Sequence, residues 1–331
     1  MVMPFLIYPV FLMQALSLAL FACAFNLLLG YAGILSFGHA AFLGSAAYVC
    51  GYAAKEWHLP PELAILCGAG AAGLLGLVYG ILATRQRGIY LAMITFALSQ
   101  LVYFIAVEVP FTHGEDGLTA IPRRNFLGFI NLAPSLKMYY FVFGTTLLAL
   151  LLIARIVRSP FGQVLRAMKD NERRMVSLGY DVDRFKIAIF VISAALSGVA
   201  GSLKALSLGI ASLGDVYWHV NGEVILMTLL GGMGTQLGPV VGAFLVVAIQ
   251  NYFAQLGGDV TVIEGCIFAA IVLALRRGII GEIGPVVGRF LSSQSQLAFR
   301  RNPDGQAAFG RRWWRTPSLA AMRQKQSYKE D

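Results

Sequence analysis

The first 54 residues carry no Asp, Glu, Lys or Arg, and Lys55 is the first ionised side chain. A soluble domain cannot cover its surface that way, because about a quarter of its residues are normally charged. Here 13% of the 331 residues are charged and 57% are apolar. Apolar blocks of roughly 20 residues, the length that crosses a bilayer as a helix, recur along most of the chain. Short strands with a polar inward face, the mark of a membrane barrel, are absent. The expected fold is all-α: a polytopic transmembrane bundle of about eight to ten helices, some broken at glycine-rich segments.

The blocks run over approximately 4–29, 31–54, 63–84, 89–107, 138–157 and 187–208. The stretch 222–253 reads as a short helix, a glycine break and a longer helix, and a last block covers 262–275. The uncharged start has no basic leader region and reads as a first membrane helix rather than a cleaved signal. Glycines 30, 33, 38 and 44 crowd the second block. Each costs about 1 kcal/mol against alanine in an exposed helix, so their density implies close helix contact or a broken helix. LLGYAG (Leu28 to Gly33) and LLGGMG (Leu229 to Gly234) resemble each other, and paired broken segments mark transport folds built from repeats. Cys23, Cys50, Cys67 and Cys266 lie in apolar blocks and read as small buried hydrophobes.

The longest polar interruption is RSPFGQVLRAMKDNERRMVSLGYDVDRFK, Arg158 to Lys186, with seven basic and four acidic residues. Ser159 and Pro160 suit a helix start, and Phe161, Val164, Leu165 and Met168 share one helical face. Asn171 suits the cap of a second short helix carrying Met175 and Leu178, with Gly179 as its stop. Two small amphipathic helices at a membrane edge dock into a partner or lie on the interface; the docking reading is preferred.

Charge distribution sets the sidedness. Of the net +9, +7 falls between Arg276 and Asp331. Basic residues beside membrane spans stay in the cytoplasm. Placing Arg85, Arg87, the segment 158–186 and the tail inside puts 55–62, 108–137 and Asp215 outside, and requires 222–253 to cross twice. The same count puts Met1 outside. The domain division is a transmembrane domain over 1–281, with its cytoplasmic loop at 158–186, and a basic cytoplasmic tail over 282–331.

Several chemistries are excluded. There is no Gly-Lys pair, hence no Walker-type phosphate loop. His39, His58, His113 and His219 lack metal-ligand spacing, and no nucleophile elbow occurs. The spans hold no acidic proton relay. Lys204, Glu223 and Glu264 fall near expected helix ends and read as side chains reaching to the interface. Ser36 and His39, at membrane depth, read as helix-packing hydrogen-bonders or as lining a path.

With the motifs in hand, a resemblance is evident. The stretches 26–49, 88–103 (GIYLAMITFALSQLVY), 158–201 and 226–244 (LMTLLGGMGTQLGPVVGAF) look like the LivM-type permease of branched-chain amino acid ABC importers. The resemblance covers about 26–281; the tail, with its GRRWWR run (Gly310 to Arg315), departs from it. It implies a non-enzymatic subunit in a bacterial inner membrane that binds no cofactor itself. It also implies a LivH-type second permease, two ATPase subunits holding ATP and Mg, and a periplasmic or surface-tethered binding protein. The implied cargo is leucine, isoleucine, valine or a similar neutral amino acid. Permeases for urea and short amides look much the same. A stand-alone ion-coupled carrier and a scaffolding protein are further alternatives. Asp170, Asn171, Glu172, Arg173, Met175, Leu178 and Gly179 resemble the segment that docks on the ATPase. Gly30, Gly33, Ser36, Gly38, His39, Gly231, Gly232 and Gly234 are the candidate substrate path.

Overall fold

The computed structural model describes residues 8–254 except 85, 87, 113, 127–129 and 133, together with Gly265. These belong to a unit spanning Met1–Glu282; the tail expected over 282–331 and, Gly265 apart, the block at 262–275 lie outside the described residues.

The helices are α1 (Pro9–Asn26), α2 (His39–Lys55), α3 (Pro61–Ala83), α4 (Ile89–Glu108) and α5 (Ser135–Arg158), then α6 (Pro160–Asp170), α7 (Glu172–Ser177), α8 (Val182–Leu208), α9 (His219–Gly231) and α10 (Gly238–Ala254). Eight of them match the expected apolar blocks, and α6 and α7 match the two expected interfacial helices. A two-residue hairpin, β1 (Asn125–Phe126) with β2 (Ile130–Asn131), is the only sheet among the described residues. Five segments are long and apolar enough to span a bilayer: Pro9–Tyr31, Pro61–Leu82, Ile89–Glu108, Ser135–Arg158 and Val182–Leu208. The protein is a multi-pass membrane protein.

A helix that is apolar on every side belongs in the interior, and α1 is buried around almost its whole circumference, against α5, α8, α9 and α10. Beside it, α2, α3 and α8 pack so closely that side chains larger than hydrogen are excluded. A Cβ on Gly201 of α8 would run into the Leu43 carbonyl, and one on Gly198 would lie 2.6 Å from the Ala72 methyl. Van der Waals contact between small residues holds membrane helices together, since lipid offers no hydrophobic drive. Gly201→Val is therefore expected to cost about 1–3 kcal/mol by overpacking, read as a lower melting temperature in detergent; an unchanged melting temperature would refute the close packing.

Two segments begin elsewhere than the sequence suggests. The second block becomes helical only at His39. Leu27–Tyr31 forms a π-turn, Ala32 N bonds back to Leu27 O, and Gly33 takes φ 72°, so the α-helical ladder cannot continue. Conversely, α8 starts at Val182, ahead of the apolar run, because Asp181 Oδ1 accepts from Arg184 N at 3.4 Å.

The loops sort into two faces as the charge count requires. On one, Arg124 Nη2 lies 2.6 Å from His58 Nδ1, Lys55 Nζ donates to Thr119 O at 3.3 Å, and Leu118 pairs with Ala211. Arg123 Nη2 donates to Ser207 O there, and Lys204 meets Asp215 at 2.6 Å. Lys204 is thus paired rather than merely reaching for water. On the other face, Gln86 and Gly88 border the same cavity as Met168, Lys169 and Lys186. This second face is the one that the positive-inside rule assigns to the cytoplasm in the sequence reading.

The hairpin of α9 and α10 starts and ends on the face that carries Lys204 and Asp215. Gln250 Nε2 donates to Glu223 Oε1 at 3.2 Å near its open end, and Gly231 abuts Gly238 at its turn. The same plan holds for α1 and α2: a helix, a glycine break near the face that carries Lys169, and a helix returning. The likeness of LLGYAG to LLGGMG extends to the last glycine of each, Gly33 at φ 72° and Gly234 at φ 76°, though the first breaks through a π-turn and the second at Gly232.

Candidate functional site: the charged segment and the glycine joint

Local chemistry shapes the segment 158–186. Ser159 caps α6, its Oγ accepting from Gly162 N at 3.4 Å. The face expected to turn inward does so: Leu165 and Met168 are buried, and Phe161 and Val164 half-buried. Asn171 Oδ1 accepts from Arg174 N at 3.0 Å and starts α7. At its end Gly179 (φ 86°) donates to Val176 O and Tyr180 N to Met175 O, the two bonds of a Schellman stop.

The underside of this segment is fastened to α8. Phe161 stacks on Phe185 with ring centres 5.7 Å apart, Met175 is buried, and Lys186 Nζ reaches Glu172 Oε1 at 2.8 Å. Lys186 is 5% exposed. Three apolar side chains, Val176, Leu178 and Tyr180, stay exposed beside Arg173, Arg174 and Ser177, Leu178 by 66%. Of the expected pair Met175 and Leu178, only the first faces the protein. Asp170, Asn171 and Arg173 are exposed and Glu172 half-buried.

The two glycine breaks meet. Buried Asn26 donates from Nδ2 to Thr235 O at 2.8 Å, and its Oδ1 accepts from Gly234 N at 3.0 Å. A Cβ on Gly30 would fall 2.7 Å from Gly234 N, and one on Gly231 would strike the Gly238 carbonyl. The charged segment closes on this joint from below. Lys169 Nζ donates to Gly30 O at 2.7 Å, its stem lies where a Cβ on Gly33 would sit, and the Arg166 guanidinium lies 5.3 Å over the Tyr31 ring. A lysine on an orphan carbonyl at a helix end is a favourable contact.

The eight candidate path residues therefore fall into different surroundings. Gly33 borders a cavity of about 640 Å³ with Lys169, Glu172 and Lys186. Gly30, Gly231, Gly232 and Gly234 form the packed joint, Gly232 and Gly234 with φ 114° and 76°. Ser36 is buried with its Oγ accepting from Gly38 N, and Gly38 sits against the Tyr79 ring. His39 is buried among Phe21, Phe25 and Phe42. Ser193 Oγ donates to Ala24 O, so it accepts the His39 Nε2 proton at 2.8 Å. Asn26, Arg166, Lys169 and Lys186 were not singled out from sequence. Asn26 alone offered a signal there, as one of the two amides, with Gln14, in an apolar block.

The profile of the family described as branched-chain amino acid transport system / permease component matches residues 8–276. The high-affinity branched-chain amino acid transport system permease protein LivM of Escherichia coli is 28% identical over 255 residues, covering 68% of this chain and 59% of that protein. Its Salmonella typhimurium counterpart is 29% identical over the same shares. The L-arabinose ABC transporter permease protein AraH of Azospirillum brasilense is 28% identical over 209 residues, covering 59% of this chain and 57% of that one. The matched region thus spans about 59% of the length of the LivM relatives. No solved structure matches.

Proposed function

The chain belongs to the family of branched-chain amino acid transport system permease components, and on that premise we propose that it is the membrane-spanning permease subunit of an ATP-driven importer in a bacterial inner membrane. The cargo is a neutral branched-chain amino acid. ATP and Mg are held by two partner ATPase subunits, a second LivH-type permease completes the channel, and a periplasmic or surface-tethered binding protein delivers the substrate. The chain itself performs no hydrolysis.

One observation carries the coupling part of this reading. Val176, Leu178 and Tyr180 stand exposed at the tip of a segment whose other face is anchored to α8. Apolar side chains turned away from their own protein at a helix end suit the groove of another. Asp170, Asn171, Glu172, Arg173, Met175, Leu178 and Gly179 form the docking element, with Met175 and Glu172 as its anchors. The joint of Gly30, Gly231, Gly232 and Gly234 is the hinge beside the path, Gly33 lines the path's inner end, and Ser36, Gly38 and His39 pack the break above it.

Leu178→Asp tests the docking. The side chain is exposed, so folding and membrane insertion should be unaffected, while a carboxylate in an apolar groove goes unpaired. About a tenfold loss of ATPase co-purification and of uptake is expected. Undiminished co-purification would refute the docking role. The similarity to AraH supports a second cargo reading, a pentose. Competition of labelled leucine uptake by unlabelled valine, arabinose and urea separates the readings: valine alone should compete.

A further inference from the structure

We propose that the cavity beneath the glycine joint is a binding site, on the cytoplasmic face, for a zwitterionic solute with an apolar side chain. The site itself stands on its lining chemistry; its identification as a product-side site rests on the import reading. The volume of about 640 Å³ lies within the roughly 300–1,000 Å³ usual for small-molecule sites. Among the described residues its lining combines two ammonium groups, Lys169 and Lys186, and one carboxylate, Glu172, with an apolar wall of Ile34, Leu35, Phe37, Leu91, Ala92 and Met168.

That set discriminates by charge. A simple anion meets Glu172, and a simple cation meets two lysines. A zwitterion satisfies both signs at once, and the apolar wall takes its side chain. The charged groups are also fixed in place before any solute arrives. Lys186 is buried and held by Glu172 at 2.8 Å, and Lys169 is held by Gly30 O at 2.7 Å. Each ammonium has three donors and these bonds use one apiece. Groups already immobilised cost less entropy on binding.

The three charged groups come from three elements, Lys169 from α6, Glu172 from α7 and Lys186 from α8. A bound solute therefore ties the docking segment to the bundle, next to Gly33 of the break. Solute accumulating inside the cell would restrain the segment and slow further import.

The test titrates the full chain in nanodiscs with L-leucine by calorimetry, beside isopentylamine, which lacks the carboxylate, and 4-methylpentanoate, which lacks the ammonium. One leucine per chain is expected, with each single-charge analogue about tenfold weaker, the loss of one charge-assisted contact. Lys169→Met should weaken leucine about tenfold and abolish its advantage over isopentylamine; Lys169→Arg should restore that advantage. A merely structural lysine would leave the leucine-to-isopentylamine ratio unchanged. Leu35→Trp, at the rim of the wall, should weaken leucine and both analogues alike. No leucine binding, equal binding of the analogues, or an unchanged ratio in Lys169→Met would overturn the site. In proteoliposomes of the complete importer, internal leucine should slow import, and less so in Leu35→Trp; no slowing would overturn the restraint. Binding to the chain with no import by the complex would sink the import reading and leave the site standing, and import without binding would do the reverse.

Discussion

Asn26→Leu should bring uptake down to background. The Asn26 amide is the tie between the two breaks, giving one hydrogen bond to Thr235 O and taking one from Gly234 N. Leucine is of similar size but can neither donate nor accept. It leaves a half-buried N–H and a half-buried carbonyl without the Asn26 amide, at up to about 1–3 kcal/mol each where water does not replace the lost partner. The loss falls where backbones touch, since Gly30 and Gly234 approach too closely to admit a Cβ. The joint must then open to water or shift α9 relative to α1, and Lys169 loses the fixed Gly30 carbonyl it holds. The measurement is labelled solute uptake by the reconstituted importer, with thermal melting alongside. Leu148→Ala, on the exposed face of α5, is the control and should transport normally. Native uptake by Asn26→Leu would remove the joint from the mechanism.

How far these features were legible in the sequence depended on their range. Whatever is decided within a few residues could be read: the caps at Ser159 and Asn171, the stop at Gly179, the inward face of α6, and the membrane helices themselves. These depend on side-chain period and on a backbone bond three or four residues away. The separation of loops into two faces was also legible, because charge near a span sets its side. The meeting of Asn26 with Gly234, or of Lys169 with Gly30, was not. Each joins residues more than a hundred positions apart, and no local pattern encodes such a pairing. The glycines announced that the helices break, which was correct for Leu27–Tyr31 and for 231–238. They did not announce that the two breaks touch. Leu178 shows a subtler failure. Helical spacing grouped it with Met175, yet it sits at the Schellman turn that ends at Gly179 and is exposed, which is what suits it to the proposed docking role.

Glu172→Gln should damage the protein far more than Lys186→Met, though the two remove partners of a single ion pair. Lys186 Nζ and Glu172 Oε1 are 2.8 Å apart, with side-chain exposures of 6% and 25%. Taking the carboxylate away strands a charge in the less hydrated position. Breaking a buried pair from one side costs about 3–5 kcal/mol, and the partial exposure of Glu172 places this pair toward the lower figure. Methionine in place of Lys186 instead fills the buried position with an apolar chain of similar length, and Glu172 retains access to water. Replacing a buried ion with a matched apolar group is often neutral. The double variant Glu172→Gln with Lys186→Met should therefore recover most of the stability lost by Glu172→Gln alone. A double-mutant cycle on melting temperature measures that coupling directly. Uptake should follow a different order, low in all three variants, because the pair sets the position of α7 against α8 and hence that of Leu178 toward its partner. Equal melting of the two single variants would mean that the ammonium is not desolvated as its burial indicates. Full uptake in the double variant would mean that α7 holds its position without the pair.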